Sequence, residues 1–195
     1  PIELIEQIGY ELTLSNTYHL LLRPGLERLS NVDGISEFMG WNKPVLTDSG
    51  GFQVMSLSKL RKISEEGVKF QSHIDGASHF LTPENVIDHQ NTIKSDIQMV
   101  LDECIQYPES YENVKKSMEL SLRWAERSRK HYTKNKSKIY GAQFGIIQGG
   151  VFEDLRKISI SETVNFNFEG YAIGGLAVGE GHEKMIEVVN YTTPQ

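Results

Sequence analysis

Short apolar runs that end in small or polar residues recur along this chain. The strands that they predict cover residues 12–20, 44–48, 96–102, 140–148 and 170–175. The runs are continuously apolar rather than alternating, which is typical of parallel strands that are covered on both faces. A helical pattern follows most of them. Strands that alternate with helices indicate βαβ units and a parallel sheet in an α/β fold.

The helical segments are marked by apolar spacing and by start signals. Spacings of four, four and three residues place one apolar set on a single helix face: Val114, Met118, Leu122 and Ala125. Thr82 before Pro83 predicts a helix start, because threonine caps helices and proline suits the first helical position. A short last helix is expected over residues 185–191, after one whose apolar positions are Leu155, Ile158 and Val164.

Residues 61–81 interrupt the alternation of strands and helices. The turn sequences EEG and DG separate half-polar runs in this segment, which predicts an inserted antiparallel hairpin. No linker, repeat or low-complexity stretch divides the chain. We therefore expect residues 1–195 to form a single domain that carries this insertion.

Composition and charge narrow the class of protein. With 195 residues, of which 38% are hydrophobic, the chain can bury one sizeable core. A formal net charge of −6 argues against binding to nucleic acid through overall charge, although a local basic patch stays possible. The single cysteine, Cys104, excludes a disulfide framework and a cysteine-based zinc site within this sequence. No apolar run approaches the roughly 20 residues of a membrane span, so we expect a cytoplasmic protein without a membrane partner.

The two ends of the sequence suggest that it is a piece of a longer protein. It begins at Pro1 without a methionine, and residues 1–9 resemble the middle of an amphipathic helix. Residues 191–195 read like a linker that leads onward.

Unusual polar groups follow four of the five predicted strands. They are Asp48 with Ser49, Gly50 and Gly51; Asp102 with Cys104; Gln148 with its two glycines; and Gly174 with Gly175. Any one of these motifs alone would be read as a turn or a helix cap. Because the carboxyl ends of parallel strands meet at one rim, four motifs together indicate a shared site.

These groups can recognise the edge of a planar heterocycle. A carboxylate accepts hydrogen bonds from ring N–H and amino groups, whereas a glutamine amide and a glycine N–H donate to a carbonyl oxygen. Phe52 supplies an aromatic face that can stack on the ring. Guanine fits this description, and so do pterins and other purines.

Longer motifs resemble a known family. Seven segments match the motifs of tRNA-guanine transglycosylase in their order along the chain: SNTYHLLLRPG, FMGW, LTDSGGFQVMSL, SHIDG, SDIQMVLDEC, FGIIQGGV and GYAIGGLAVGEG. The resemblance covers essentially the whole chain. It implies an irregular (β/α)8 TIM-type barrel, of which this chain would supply about five of the eight parallel strands. It also implies an enzyme that exchanges the wobble guanine of certain tRNA anticodons for a 7-deazaguanine base, on the path to queuosine.

The resemblance assigns the loop after the second strand to proton transfer and stacking. Asp48 resembles the general acid/base carboxylate that handles the proton of the departing and incoming base, which requires a tuned pKa in a water-poor pocket. Phe52 occupies the position of the aromatic that stacks on the base. Ser49, Gly50 and Gly51 shape the same loop and let a nucleotide approach the backbone.

The other matched positions resemble the family's base-recognition groups. Asp102 resembles the carboxylate that accepts from the N–H edge of the base. Gln148 and the Gly175 N–H resemble the donors to the base carbonyl, with the Leu176 main chain beside them. By the same resemblance, Cys104 and Val178 match the bacterial pattern, which is associated with the base preQ1.

Several parts of the family pattern do not occur in this sequence. The family's covalent nucleophile is a second aspartate on a later strand, and its zinc ligands are a C-x-C-x2-C cluster with a distal histidine. Zinc is therefore expected only of a full-length protein. The resemblance also implies that the full-length protein is a homodimer and that its partners are tRNA and guanine or preQ1. We expect the 195-residue chain alone to be inactive.

Other interpretations stay open for the remaining residues. The basic stretch 123–138 could contact tRNA, or it could be a solvated helix end. Cys104 could be a small buried residue without reactivity. The histidines show no ligand spacing, with His19 kept as a candidate near the site: His19, His73, His79, His89, His131 and His182.

Two other functional classes also fit in part. One is a different (β/α)8 enzyme that binds a sugar phosphate at Gly174 and Gly175, although no lysine or arginine lies near these glycines in the sequence. The other is a non-catalytic relative that binds tRNA, against which the presence of both Asp48 and Asp102 argues.

Overall fold

The structure, a computed structural model, describes residues 2–57 and 60–195. In these residues the strands are β1 (Thr13–Asn16), β2 (Val45–Asp48), β3 (Arg61–Ser64), β4 (Gly67–Gln71), β5 (Ser78–Leu81), β6 (Ile97–Met99), β7 (Ala142–Ile147) and β8 (Gly170–Ile173). The helices are α1 (Ile2–Ile8), α2 (Thr17–Leu22), α3 (Leu26–Ser30), α4 (Ile35–Met39), α5 (Gly51–Leu57), α6 (Pro83–Ile93), α7 (Tyr111–Asn135), α8 (Glu153–Asn165) and α9 (His182–Thr192). A 3₁₀ turn follows α7 at Lys136–Lys138. None of these helices is long and apolar enough to cross a membrane.

Five strands form one parallel sheet in the order β1-β2-β6-β7-β8. Each falls within one of the five predicted runs, which confirms an α/β fold of the partial TIM-barrel type. The inner face of the sheet is open, so that Leu14 on β1 is 66% exposed. The outer face packs against helices, and its central residues are fully buried, as Val45 is.

The first predicted strand, 12–20, is shorter in the structure. β1 ends at Asn16, and α2 begins at the next residue. The physical reason is a helix cap, because the Asn16 side chain accepts a hydrogen bond of 3.1 Å from the backbone N–H of His19. The apolar residues after Asn16 therefore continue as a helix.

The inserted segment 61–81 is a three-stranded antiparallel sheet in the order β3-β4-β5. The prediction of an antiparallel insertion holds, with one strand more than a hairpin. One face of this sheet is apolar and packs against Tyr18, Val54 and Trp124 in a shared core cluster. The insertion is thus fixed to the barrel beside the loop that follows β2.

The predicted helices are present, and their burial differs in one of them. Thr82 caps α6 through reciprocal hydrogen bonds with Asn85. α8 forms as predicted, but Ile158 and Val164 are exposed. Its buried face is instead largely polar and contains Arg156, Ser159 and Thr163 beside Leu155. The apolar positions in α8 therefore did not indicate the face that packs on the sheet.

Candidate active site

The loop after β2 reaches its neighbours only because it contains glycines. A Cβ atom at Gly51 would lie 2.5 Å from the backbone oxygen of Asp102. Gly50 has a φ of +90°, a conformation that L side chains rarely adopt, and its Cβ would lie 3.0 Å from the Cβ of Tyr18. The two glycines thus let Asp48 and Asp102, on adjacent strands, approach the same space.

Asp48 is held by the end of the neighbouring strand. Asn16 and Asp48 are paired in register between β1 and β2. The Asn16 amide donates a 2.6 Å hydrogen bond to one carboxylate oxygen of Asp48, and the Thr17 backbone N–H lies 3.3 Å from the other. Burial raises the pKa of Asp48 to about 6 against these hydrogen bonds, and the charge of Asp102 adds to the rise. A carboxyl group with this pKa can both give and accept a proton near neutral pH.

Asp102 follows β6 and is also desolvated. The Gln148 amide donates a 2.6 Å hydrogen bond to one of its carboxylate oxygens, and the Ser49 hydroxyl lies 3.5 Å from the other. Burial raises the pKa of Asp102 to about 6, although the bond from Gln148 opposes the rise. Asp102 and Gln148 therefore satisfy each other in this structure.

Gln148 is fixed behind the pocket by two neighbours, Ser159 and Gly175. Its backbone N–H donates a 2.9 Å hydrogen bond to the Ser159 hydroxyl on α8. Gly175 has a φ of +63°, and a Cβ atom there would lie 2.5 Å from the side-chain oxygen Oε1 of Gln148. The turn after β8 can close over Gln148 only because this residue is glycine.

These groups surround one open pocket of about 340 Å³ at the carboxyl ends of the parallel strands. This volume lies within the range of ~300–1,000 Å³ that is usual for small-molecule sites. The predicted residues on its wall are Asp48, Ser49, Gly50, Gly51, Phe52, Asp102, Cys104, Gly175 and Leu176. Of the predicted set, Gln148 alone is set behind the wall and reaches the pocket through its bond to Asp102.

Phe52 and Cys104 differ in what they can offer a ligand. Phe52 is 44% exposed and presents an aromatic face at the pocket. Cys104 is buried, and burial raises the pKa of its thiol to about 12. The thiol stays protonated and serves as a wall rather than as a nucleophile. Val178 lies outside this pocket, in an adjoining recess of about 20 Å³.

Comparison with known proteins identifies the family. A sequence model described as Queuine tRNA-ribosyltransferase matches residues 1–195. The chain belongs to the queuine tRNA-ribosyltransferase family. It is 54% identical over 192 residues to the queuine tRNA-ribosyltransferase of Thermodesulfovibrio yellowstonii, which covers 98% of this chain and 50% of the relative.

Other members of the family show the same coverage. The queuine tRNA-ribosyltransferase of Rickettsia typhi is 53% identical over 191 residues, or 98% of this chain and 52% of the relative. That of a Thermoanaerobacter species is 54% identical over 191 residues, or 98% and 50%. The chain therefore spans about half the length of the curated relatives that it matches.

Residues that the sequence reasoning missed support the site from behind. Asn16 and Thr17 hold Asp48, and the signal that could have revealed them is the Asn-Thr pair as a helix start. The fully buried Arg156 donates to the carbonyls of Ile147 and Gly150, on both sides of Gln148. No sequence signal marked Arg156, because an arginine in a helix usually extends into solvent.

His19, which the sequence offered as a candidate near the site, lies away from the pocket. Its side chain is exposed, and its ring contacts Tyr18 and His73. In the part of the chain that the structure describes, no group of three or more His, Cys, Asp or Glu residues could hold a metal ion. The described residues therefore do not provide the zinc site that the family resemblance implies.

The arginines of the basic stretch are engaged in ion pairs within the chain. Arg123 pairs with Glu65 at 2.8 Å, Arg127 with Glu84 at 2.8 Å, and Arg129 with Glu169 at 2.9 Å. These contacts connect α7 to the inserted sheet, to α6 and to the segment before β8. They favour a structural role for these arginines over contact with tRNA.

Proposed function

We propose that this chain is the base-recognising part of a tRNA-guanine transglycosylase that exchanges the wobble guanine of tRNA for preQ1. The observation that carries the proposal is the convergence of Asp48 and Asp102 on one pocket at the strand ends, with Gln148 bonded to Asp102 behind the pocket wall. The names of the curated relatives, which describe transfer of ribosyl groups of tRNA, support it.

In this proposal Asp48 is the general acid and base. Its carboxyl group would give a proton to the departing guanine and take one from the incoming base, and a pKa of about 6 suits both directions. The bonds from Asn16 and the Thr17 N–H, one to each oxygen, fix the orientation of the carboxyl group. Phe52 would stack on the base from the pocket wall, above the loop of Ser49, Gly50 and Gly51.

Asp102 and Gln148 would recognise the two sides of the base edge. They are hydrogen-bonded to each other, so that each has its partner while no base is bound. A guanine-like base can replace this bond, because its N–H groups donate to Asp102 while its carbonyl accepts from Gln148 and the Gly175 N–H. The main chain of Leu176 lines the same side of the pocket. Cys104 and Val178 would set the preference for preQ1.

The remaining functions of the protein would come from outside this chain. We propose that residues 1–195 form one partial barrel with the insertion at 61–81, and that a further segment supplies the missing strands, the covalent nucleophile and the zinc ligands. The complete protein would be a homodimer that acts on tRNA in the cytoplasm.

The test compares two proteins in one assay. Incorporation of labelled guanine into tRNA is measured for the 195-residue chain and for a version extended to the length of the relatives. We expect exchange by the extended version and none by the chain alone, because exchange through a covalent intermediate needs a nucleophile besides Asp48. Incorporation by a chain verified by mass would place the nucleophile within these residues. Absence of exchange by the extended version, with guanine and with preQ1, would contradict the function.

The sugar-phosphate alternative is not favoured by the pocket. The charged residues that line it in the described part of the chain are Asp48 and Asp102, and both repel a phosphate when ionised. Titration of the chain with guanine and with a sugar phosphate separates the two functions directly.

A further inference from the structure

Arg156 is a buried cation that no carboxylate of the described residues contacts as an ion pair. Its side chain is fully buried, and no ion pair in the described residues includes it. Burial lowers its pKa to about 10, although the charges of Tyr191 and Glu180 act against this change, and the guanidinium stays charged at neutral pH. A buried unpaired charge destabilises a protein. The charge therefore calls for an explanation beyond packing.

The guanidinium lies directly behind the base-recognition groups. Its Nε donates to the Gly150 carbonyl at 2.8 Å and its Nη1 to the Ile147 carbonyl at 2.9 Å, which clamps the turn on both sides of Gln148. A Cβ at Gly149 would lie 2.8 Å from the Arg156 backbone nitrogen, so that the turn rests closely on α8.

The third nitrogen of Arg156 is buried and has no hydrogen-bond partner among the residues that the structure describes. This Nη2 lies 3.5 Å from the position that a Cβ atom of Gly175 would occupy. The side-chain oxygen Oε1 of Gln148 lies 2.5 Å from the same position. Nη2 is thus directed to the underside of Gln148 and Gly175, the two proposed donors to the base carbonyl. The same positive charge also opposes the rise in the pKa of Cys104 that burial causes, so its field reaches the pocket wall.

The charged residues on the pocket wall make this position significant. The main pocket and the adjoining recess have only acids as charged lining residues among the described ones: Asp48, Asp102, Glu109 and Glu180. Glycosidic cleavage leaves the bonding electron pair on the base, where it is delocalised towards the carbonyl oxygen. A carboxylate nucleophile bonds to the ribose carbon, and protonated Asp48 gives its proton to the base. Negative charge on the base in an acidic pocket needs a nearby positive charge.

We propose that Arg156 is a positioning residue for base exchange, which clamps the Gln148 turn and places positive charge behind the donors to the base carbonyl. The proposal rests on the proposed function, since it concerns the leaving base of that reaction. It assigns to Arg156 an effect on the transition state, in which the base carries negative charge, more than on the binding of a neutral base.

The first test uses the protein extended to the length of its relatives. Arg156→Gln should lower kcat for guanine exchange by about tenfold or more, with KM for the base changed less than about threefold. Arg156→Lys, which keeps the charge, should regain most of kcat. Arg129→Gln is the matched control, because Arg129 on α7 also donates to backbone carbonyls, but these belong to Phe166 and Asn167 in the segment before β8, away from the pocket. It should lower stability and leave kcat unchanged.

The results separate a positioning role from a structural one. Equal losses of kcat in folded Arg156→Gln and Arg156→Lys, or a loss that appears only in KM, would overturn the proposal. If Arg156→Gln does not fold, Arg156→Lys still decides, since a loss of more than about tenfold in the folded variant contradicts the role of the charge.

A binding measurement tests the proposal without turnover. 8-Azaguanine is a stronger acid than guanine, because its additional ring nitrogen stabilises the anion, and its dissociation constant can be measured at pH 6.5 and 8.5. Arg156→Gln should weaken binding at pH 8.5 by about fivefold more than at pH 6.5, since it removes the charge that favours the anion. An equal effect at both pH values would overturn the proposal. Because this readout needs no exchange, it stands even where the proposed function fails.

Discussion

Acidic residues at the two ends of the parallel sheet are in opposite electrostatic states. At the carboxyl ends, burial raises the pKa of Asp48 and of Asp102 to about 6, and no ion pair in the described residues includes either. At the amino end of β8, burial also acts on Glu169, but the hydrogen bond and charge of Arg129 hold its pKa below the ordinary value. One sheet thus carries carboxyl groups near their titration point at one end and stably ionised ones at the other.

The difference lies in the partners and not in the residue type. Asp48 and Asp102 receive hydrogen bonds from the neutral amides of Asn16 and Gln148, which orient the carboxyl groups but do not outweigh the effect of burial on their pKa. Glu169 receives bonds from a guanidinium, which stabilises the ionised form. Proton transfer needs the first arrangement, whereas cohesion of the fold is served by the second.

The largest expected effect comes from exchanging an acid for its amide at each end. Asp48→Asn in the extended protein should lower guanine exchange by about 10²–10⁴-fold, because the proton donor is lost. Glu169→Gln should leave exchange unchanged and lower the free energy of unfolding by about 1–3 kcal/mol, since Arg129 loses a charged partner. Exchange rates and denaturant unfolding of both variants check this. If Glu169→Gln slowed exchange as strongly as Asp48→Asn at equal stability, the two ends would not differ in role.

The second effect concerns recognition rather than proton transfer. Asp102→Asn should weaken recognition of guanine and preQ1 by about 1.5–3 kcal/mol, because a carboxylate that accepts two N–H groups becomes a mismatched amide. The Michaelis constants for base and tRNA, measured in the extended protein, test this expectation. An unchanged value for both would remove Asp102 from the recognition edge.

The sequence was sufficient to predict the carboxyl-end rim. Four of the five predicted strands were followed by a distinctive polar or glycine group, and parallel strands bring such groups together, so Asp48, Asp102 and Gly175 could be placed in one site. Asn16 was not found, because the apolar residues that follow it read as one strand although its side chain caps α2. Local capping chemistry decided against the apolar pattern there.

The residues that support the pocket from behind could not be predicted either, and the reason differs from that for Asn16. Arg156 in α8 resembles a solvated basic residue, and only the tertiary fold shows that it lies beneath Gln148. Ile158 and Val164 in the same helix marked an apolar face that is exposed. The spacing of apolar residues shows which face of a helix is apolar. It does not show that a polar face is buried because it supports a site.

The third prediction concerns the pH dependence of stability. The pKa values of Asp48 and Asp102 are raised, so the folded state holds protons that the unfolded state releases between about pH 4 and 6. Their contribution to stability is fully present below the ordinary pKa and is lost as the pH rises through 6. The double variant Asp48→Asn, Asp102→Asn should lack this loss, which we expect to be on the order of 2–3 kcal/mol for each aspartate.

Denaturant unfolding of the two proteins at pH 4 and pH 7 gives the required difference. Glu169 has the opposite dependence, because its lowered pKa stabilises the fold at higher pH. Its contribution is present in both proteins and cancels when they are compared. A difference that is the same at both pH values would show that the two aspartates are not desolvated in the folded state.

The smallest expected effect concerns the exposed pair Glu65–Arg123 in the region that could contact tRNA. Both side chains are about half exposed and meet at 2.8 Å. An ion pair of this kind contributes about 0–1 kcal/mol, so Arg123→Gln and Glu65→Gln should each change the free energy of unfolding by at most this amount.

If Arg123 serves only the fold, neither change should alter the affinity for tRNA. If it binds a phosphate, Arg123→Gln should weaken tRNA binding and reduce its salt dependence, while Glu65→Gln should not. Salt titrations of tRNA binding by both variants of the extended protein therefore distinguish the two roles. Because Arg123 is engaged in the ion pair, we expect both variants to bind tRNA with nearly unchanged affinity.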